Sequence, residues 1–238
     1  GCDDHYFLRD PDAGAVTVLL DGEDCVGCGP EWSEDQGDAA GAEGIDCRKE
    51  GKNMKYLAHI DGDREQSVKE HLQGTAELAE KFAAKFRKAD WGYCCGMLHD
   101  IGKYSAEFQK KIKENLDIRV DHSTAGAKVC ENLDGCYWLL TYCIAGHHAG
   151  LPDLGREGLP SSLLGRLKKR LCDYSAYEKE IEIPQITTPP IAMNPEKDPN
   201  FALSVFIRML YSCLVDADFL DTEQFMNNGT VQRDSGEN

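Results

Sequence analysis

The stretch Met97-Leu98-His99-Asp100-Ile101-Gly102-Lys103 places a histidine and an aspartate side by side at the end of an apolar segment. The segment from about Asp90 to Ile101 is predicted to be a helix, and Gly102 lets the chain turn sharply after it. An imidazole and a carboxylate on consecutive residues can both reach one divalent cation at a helix end. Lys103 adds an ammonium group that can meet a phosphate oxygen. The stretch therefore predicts a helical core that carries a metal site.

Helical patterns continue on both sides of this stretch. Ser67 and Glu70 form the pattern of a capping box, and apolar residues recur at helical spacing from Leu72 to Phe86. A short helix capped by Ser105 and a helix from Ser123 or Thr124 to about Leu133 are predicted next. The segment Gly135–His148 is apolar throughout and is predicted to be a helix that is buried on all sides. Two more helices are predicted, one with the apolar stripe Leu163, Leu164, Leu167 and Leu171 and one at about Asn200–Phe225. The segment Ile183–Pro199 contains five prolines and is predicted to be a loop. Strand patterns are absent after residue 60, so we expect an all-α helical bundle.

Residues 1–53 differ in composition from residues 54–238. They contain 14 acidic and 4 basic side chains and many glycines, which predicts an irregular acidic extension whose role the sequence does not indicate. Ala15–Leu20 is the one apolar run there that can form a strand. Cys25-x-x-Cys28 has half of a zinc-site spacing, which Cys2, His5 or Cys47 could complete, but no second close pair exists and we favour free thiols.

Length, charge and cysteine content limit the class of protein. A chain of 238 residues suits one domain with a well-formed core, and no run of about 18 apolar residues or secretion signal is present, so we expect a cytoplasmic protein without a membrane partner. The net charge of −16 excludes binding of nucleic acid by bulk positive charge, so such a substrate would need bound cations and local basic clusters. Seven of the 11 cysteines are predicted to be small buried hydrophobic residues in helices: Cys94, Cys95, Cys130, Cys136, Cys143, Cys172 and Cys213.

More residues of the metal-ligand type are spread along the chain. They are His71 one turn into the first long helix, His122 after Asp121, the pair His147-His148, and Asp216-Ala217-Asp218 within an apolar helix. Each has an ordinary alternative, such as a hydrogen-bonded histidine, a helix end that favours positive charge, or an aspartate paired with Arg208. A carboxylate in an apolar helix costs several kcal/mol unless a positive charge meets it. Taken together and in this order, the residues favour a metal centre.

In this order the motifs resemble the HD phosphohydrolase superfamily, which has an all-α fold with metal in its helical core. Five segments narrow the resemblance to the HD nuclease domain of the CRISPR-associated nuclease–helicase of type I systems: 98–103 with Phe108-Gln109, 121–127, 145–153, 214–218, and 56–59 with 70–72. The resemblance spans about Met54 to Phe225. No Walker-type phosphate loop occurs, so we expect a stand-alone nuclease subunit or an excised nuclease domain.

The resemblance implies a centre of two divalent transition-metal ions, Mn, Fe, Ni or Co. One ion would be held by His71, His99, Asp100 and a late aspartate, and the other by His122, His147, His148 and the bridging Asp100. Asp216 and Asp218 point about 200° apart on a helix, so only one can face the metal. The superfamily's last motif, Ala-Asp followed by a large residue and Leu, fits Asp218. Asp100 and Lys103 are the implied catalytic residues, and Ser123, Thr124 and, less strongly, His59 are the implied substrate-binding residues.

The implied reaction is hydrolysis of phosphodiester bonds in single-stranded DNA. The implied partners are a helicase subunit or domain that unwinds foreign DNA and a crRNA-guided surveillance complex that presents it, in CRISPR antiviral defence. Candidate strand contacts are Lys110, Lys111, Lys113, Arg166, Lys168, Lys169 and Arg170, although a solvated helix face is the interpretation we prefer. The alternatives are a nucleotide or cyclic-nucleotide phosphohydrolase of the same fold, a metal-stabilised subunit that only docks a helicase, and a zinc-binding partner module built on the N-terminal cysteines.

Overall fold

The computed structural model describes residues 55–133, 135–156, 158–192 and 198–229, together with two short strands near the N-terminus. These strands, β1 (Phe7–Arg9) and β2 (Val16–Val18), pair antiparallel with Phe7 opposite Val18. The strand predicted at Ala15–Leu20 is therefore confirmed over its central residues. The proposed zinc ligands Cys2, His5, Cys25, Cys28 and Cys47 and the boundary at residue 53 lie outside the described residues.

A second hairpin precedes the helices, and it corrects the expectation that no strand follows residue 60. Strands β3 (Leu57–Asp61) and β4 (Arg64–Ser67) pair antiparallel, with Asp61 opposite Arg64. Gly62 occupies the first position of the two-residue turn with a φ of 59°, a conformation that glycine adopts without strain. Gly62-Asp63 in a two-residue turn is a hairpin signal, and the helical pattern that follows it obscured that signal.

Seven α-helices form the rest of the described chain. They are α1 (Val68–Ala84), α2 (Ala89–Leu98), α3 (Ala106–Lys113), α4 (Ser123–Glu131), α5 (Trp138–Gly146), α6 (Leu163–Leu167) and α7 (Pro199–Met226). Three short 3-10 turns cover Ile101–Tyr104, Gly135–Tyr137 and Ser175–Lys179. The mostly helical fold agrees with the predicted class. The capping box at the start of α1 and the Ser105 cap of α3 are confirmed.

Several helix ends differ from the prediction. Helix α2 ends at Leu98 rather than Ile101, so His99 and Asp100 lie in the turn between α2 and the first 3-10 segment. Helix α5 is shorter than the predicted Gly135–His148 and leaves the paired histidines just beyond its end. Helix α6 stops at Leu167, so the stripe that reaches Leu171 is helical only in its first half. In each case the sequence pattern on which the prediction rests continues beyond the residue at which the α-helix ends.

The core lies where the most apolar helices cross. Helix α1 packs against α2 and α7, and α5 packs against α4 and α7. Trp91, Leu98, Leu140, Ile144 and Leu214 are fully buried there. The described residues of the predicted loop Ile183–Pro199 contain no helix as far as Asp198, as expected, but Pro199 is already the first residue of α7. This packing brings the C-terminal ends of α2 and α5 to the same side of the molecule as the N-terminal part of α1 and the second half of α7.

The seven cysteines within the described part of the chain form no disulfide, but their predicted burial holds only in part. All seven that the sequence assigned to helices are free thiols, and five of them are buried. Cys136 is half-buried in a 3-10 turn, and Cys172 is exposed because α6 ends five residues before it. Within the described residues, no helix is both long enough and apolar enough to cross a membrane.

Candidate metal centre

Five histidines and two aspartates lie close together and form two adjoining groups of candidate ligands. One of the histidines, His148, is exposed at the surface. The first group is His71, His99, Asp100 and Asp218, and the second is Asp100, His122, His147 and His148. In each group the four candidate ligand atoms lie within 4.8 Å of one another. The structure thus brings together all seven side chains that the sequence proposed as metal ligands.

The first group joins α1, the end of α2 and α7. The Nε2 atom of His71 lies 3.3 Å from Asp100 Oδ2 and 3.4 Å from Asp218 Oδ1. The Nε2 atom of His99 lies 3.5 and 3.6 Å from the same two oxygens. Asp216, two residues earlier on α7, is exposed. Asp218 is therefore the aspartate of the pair that faces the centre.

The second group lies at the ends of α4 and α5. The other oxygen of Asp100, Oδ1, is 3.3 Å from His147 Nε2 and 3.5 Å from His122 Nε2. His122 Nε2 is also 2.8 Å from the Nε2 atom of the exposed His148. The two oxygens of Asp100 thus face different groups, so Asp100 occupies the position of a bridging ligand.

Hydrogen bonds on the far side of each ring fix which nitrogen faces the centre. The Nδ1 atom of His99 lies 2.7 Å from the Gly96 carbonyl, and that of His147 lies 2.7 Å from the Ile144 carbonyl. The Nδ1 atom of His71 lies 2.8 Å from Asp221 Oδ2. Because these partners only accept hydrogen bonds, each Nδ1 carries a proton, and Nε2 is the nitrogen that faces the centre and can bind a metal in the neutral ring. Metal-binding histidines in proteins show this arrangement.

Three buried polar atoms of the centre have no hydrogen-bond partner, namely His99 Nε2, Asp100 Oδ1 and His147 Nε2. Buried polar atoms almost always have a partner, so this clustering requires an explanation. Lone pairs that converge on carboxylate oxygens repel one another unless a cation lies between them. The mixed imidazole and carboxylate donor set fits a divalent transition metal.

Comparison with known families agrees with this geometry. Residues 68–177 match the family model described as the HD domain. This part of the chain is an HD domain. The match includes every candidate ligand except Asp218, which α7 supplies from beyond it. No curated protein matches the chain. The HD domain indicates a metal-dependent phosphohydrolase that binds divalent ions.

The charged groups of the centre keep Asp100 and Asp218 ionised. Burial favours a neutral Asp100, but Lys103 and the neighbouring histidines hold the pKa of that carboxyl well below its usual range. Burial likewise favours a neutral Asp218, but its contacts with His71 and His99 hold its pKa well below the usual range. Burial and Lys103 lower the pKa of His71, yet the contacts with Asp100 and two further carboxylates outweigh them and raise it to about 9. A metal ion that binds His71 must therefore displace a proton.

Lys103 lies inside the centre, as the sequence proposed. Its buried Nζ atom is 2.8 Å from Asp100 Oδ2 and 3.3 Å from His59 Nε2. His59 is half-buried on β3, and its Nδ1 atom lies 2.7 Å from Gln66 Oε1. Burial, Lys103 and His71 together lower the pKa of His59 to about 4. His59 is thus a neutral neighbour of the lysine.

Ser123 and Thr124 are buried at the start of α4, and their hydroxyls are engaged within the protein. The Thr124 hydroxyl donates to Asp121 Oδ2 at 3.0 Å, and Arg166 Nη2 donates to Ser123 Oγ at 2.8 Å. Their role in binding substrate stays a prediction. The placement of Arg166 on an outer face was wrong, because the short α6 turns its guanidinium inward to Ser123, Thr124 and the Ala145 carbonyl.

Gly102 has a different role from the one predicted. A Cβ atom on Gly102 would lie 2.2 Å from the carbonyl oxygen of His122 and 2.5 Å from its Cα. The glycine thus allows the loop that carries His122 to approach the His99-Asp100 turn closely. Without that approach, Asp100 could not lie between the two groups.

The sequence did not identify three residues that support the centre: Gln66, Arg166 and Asp221. Asp221 contacts His71 Nδ1 and accepts a 2.9 Å hydrogen bond from Gln66 Nε2. The spacing Asp218-x-x-Asp221 places both carboxylates on one face of a helix, and this signal was available in the sequence. Gln66 lies on the strand that the sequence analysis missed.

Proposed function

We propose that the HD domain is a nuclease that hydrolyses phosphodiester bonds in single-stranded DNA. The observation that supports this most is Asp100, whose two oxygens face two separate ligand groups. The second group, with His122, His147 and His148, goes beyond the four residues of the superfamily signature. Two bound divalent ions would hold the scissile phosphate, activate a water and stabilise the leaving oxygen.

The chain's own residues prepare the centre for an anionic substrate. Lys103 brings a buried positive charge next to Asp100, where it can also meet a phosphate oxygen. His122 and His148 are the more exposed ligands, with a side-chain exposure of 18% for His122, so this side of the centre faces the solvent. A strand therefore has access to the centre from the α4 and α5 ends.

Basic residues flank this open side. Lys169 contacts Asp121 Oδ2 at 2.8 Å, and Asp121 directly precedes His122. Lys110 and Arg170 are exposed, and the thiol of Cys172 contacts Glu107, which brings the segment after α6 close to α3. These two segments thus form one basic border beside an otherwise acidic chain, and we propose that it contacts the phosphates of the strand.

In this proposal the nuclease acts in CRISPR antiviral defence. A helicase subunit or domain would unwind the DNA, and a crRNA-guided surveillance complex would present it. A single strand suits the arrangement, because a phosphate must reach ligands that lie at the end of a helical bundle.

The test compares two substrates on the full chain. Circular single-stranded DNA and 2′,3′-cyclic nucleotides are incubated with the protein under added Mn²⁺, Ni²⁺ or Co²⁺ and under EDTA. We expect metal-dependent cleavage of the circle that is lost in Asp100→Asn and kept in Asp216→Asn, whose side chain is exposed. Hydrolysis of the cyclic nucleotides without DNA cleavage would contradict the nuclease proposal and favour a nucleotide phosphohydrolase. Metal binding without hydrolysis of either substrate would favour a non-catalytic subunit.

A further inference from the structure

Six side chains close a ring of polar contacts that runs from the metal centre to the β3–β4 hairpin and back. Two of them, Gln66 and Asp221, lie outside the proposed ligands and substrate-binding residues. The contacts are Asp100 to Lys103 at 2.8 Å, Lys103 to His59 at 3.3 Å, His59 to Gln66 at 2.7 Å, Gln66 to Asp221 at 2.9 Å, Asp221 to His71 at 2.8 Å, and His71 to Asp100 at 3.3 Å.

The direction of the hydrogen bonds in this ring follows from the chemistry of its members. An ammonium group only donates, so Lys103 donates to His59 Nε2, and His59 is a neutral ring with its proton on Nδ1. That Nδ1 donates to Gln66 Oε1, which leaves the Gln66 amide nitrogen to donate to Asp221. Asp221 accepts from His71 as well, so Nδ1 of His71 carries a proton and Nε2 is the nitrogen that faces the centre.

Gln66 links the side of the ring that contains His59 and Lys103 to the side that contains Asp221 and His71. A side-chain amide can accept from His59 at its oxygen and donate to a carboxylate at its nitrogen. A glutamate at position 66 would keep the contact with His59 but place a second carboxylate beside Asp221. A methionine would keep the length and remove both hydrogen bonds.

We propose that Gln66 and Asp221 are positioning residues. Asp221 orients His71 toward the metal, and Gln66 holds Asp221 in place and, through His59, orients Lys103. This inference rests on the metal-dependent activity proposed above. Partners of this kind typically change metal affinity 10- to 100-fold when they are removed.

Gly74 provides a way to move Asp221 without changing a polar group. A Cβ atom on Gly74 would lie 2.0 Å from Asp221 Oδ1 and 3.0 Å from its Cγ. Asp221 is a short side chain held at its other oxygen, so Gly74→Ala must displace it from His71. Because alanine is the better helix former, the substitution does not by itself weaken α1.

The first measurement is the affinity of the full chain for Co²⁺, with binding monitored by the visible absorption of the bound ion. Gln66→Met and Gly74→Ala are expected to weaken binding of the first Co²⁺ by about 10- to 100-fold. The matched control is Gln224→Met, an exposed glutamine on the same helix as Asp221, and it should bind Co²⁺ like the unmodified protein. Thermal melting of the metal-free proteins identifies any variant that is simply unfolded.

The second measurement is the tautomer of His59 in the metal-free protein, by nitrogen NMR of the imidazole. We expect the Nδ1–H form, and in Gln66→Met a loss of that preference. Folded Gln66→Met and Gly74→Ala proteins with unchanged Co²⁺ affinity, or a His59 tautomer that does not respond to Gln66, would overturn the inference. A protein that binds Co²⁺ but cuts no DNA would instead defeat the nuclease proposal and leave the positioning role standing.

Discussion

His122 and His148 meet through their Nε2 atoms, 2.8 Å apart. The Nδ1 atom of His122 lies 3.1 Å from the Val120 carbonyl and carries the proton there, so the shared proton belongs to His148. Burial and the neighbouring His147 lower the pKa of His148 to about 4, which keeps that ring neutral. His148 must therefore move its proton to the other nitrogen before Nε2 can bind a metal. The second ligand group is less preorganised than the first.

This difference predicts that the two ions are held unequally. In His148→Ala the second group loses its exposed ligand, while the first group keeps all of its residues. We expect elemental analysis after dialysis to fall from about two to about one metal ion per chain. Loss of both ions, or retention of both, would contradict the assignment of two separate groups.

The choice between the two late aspartates can be tested by the effect of metal on stability. Asp218→Asn removes a carboxylate that faces His71 and His99, and Asp216→Asn changes an exposed one. At a metal concentration about 100 times the dissociation constant, binding stabilises the folded state by about 2.7 kcal/mol. Thermal melts with and without Co²⁺ should show a large rise for the unmodified protein and Asp216→Asn, and a small rise for Asp218→Asn. Equal rises in all three proteins would exclude Asp218 as a ligand.

Arg166 is expected to stabilise the second ligand group by joining the ends of α4 and α5. It donates to the Ala145 carbonyl at one helix end and to the Ser123 and Thr124 hydroxyls at the other. Arg166→Met should lower the free energy of unfolding by about 2 kcal/mol, since hydrogen bonds to charged groups contribute about that much. Urea denaturation of the metal-free protein measures the change. The matched control is Arg170→Met, at an exposed position, and an equal loss in that variant would show that the contacts of Arg166 are not responsible.

Asp90 predicts a stability difference that depends on pH. Partial burial raises the pKa of Asp90, but hydrogen bonds from Thr188, Thr187 and Trp91 outweigh it and hold the pKa below its usual value. A carboxylate with a lowered folded-state pKa adds stability above the pKa of the unfolded chain, about 3.9, and loses it as the pH falls through the folded-state value. Asp90→Asn should therefore cost about 1 kcal/mol at pH 7, and less at about pH 3. Denaturation curves at both pH values test this, and a cost that is equal at both would rule out the charge as its origin.

The sequence predicted the helices and the ligands better than it predicted their surroundings. Helical spacing is a local signal, so α1, α3 and α7 could be predicted. The order of the histidine and aspartate motifs can also be read directly from the sequence, so the seven ligands could be predicted as well. Arg166 and Asp221 act through residues 21 or more positions away, and a single sequence does not show such contacts. Cys172 was misplaced for a local reason, since an apolar stripe does not show where α6 stops.

The ring that closes around Asp100 draws on both flanks of the stretch that matches the HD domain. His59 and Gln66 come from the hairpin before residue 68, and Asp218 and Asp221 come from α7 after residue 177. A fragment trimmed to 68–177 would keep six of the proposed ligands but lose the one that completes the first group and the carboxylate that orients His71. The smallest catalytic fragment of this chain therefore has to include the β3–β4 hairpin at one end and α7 at the other.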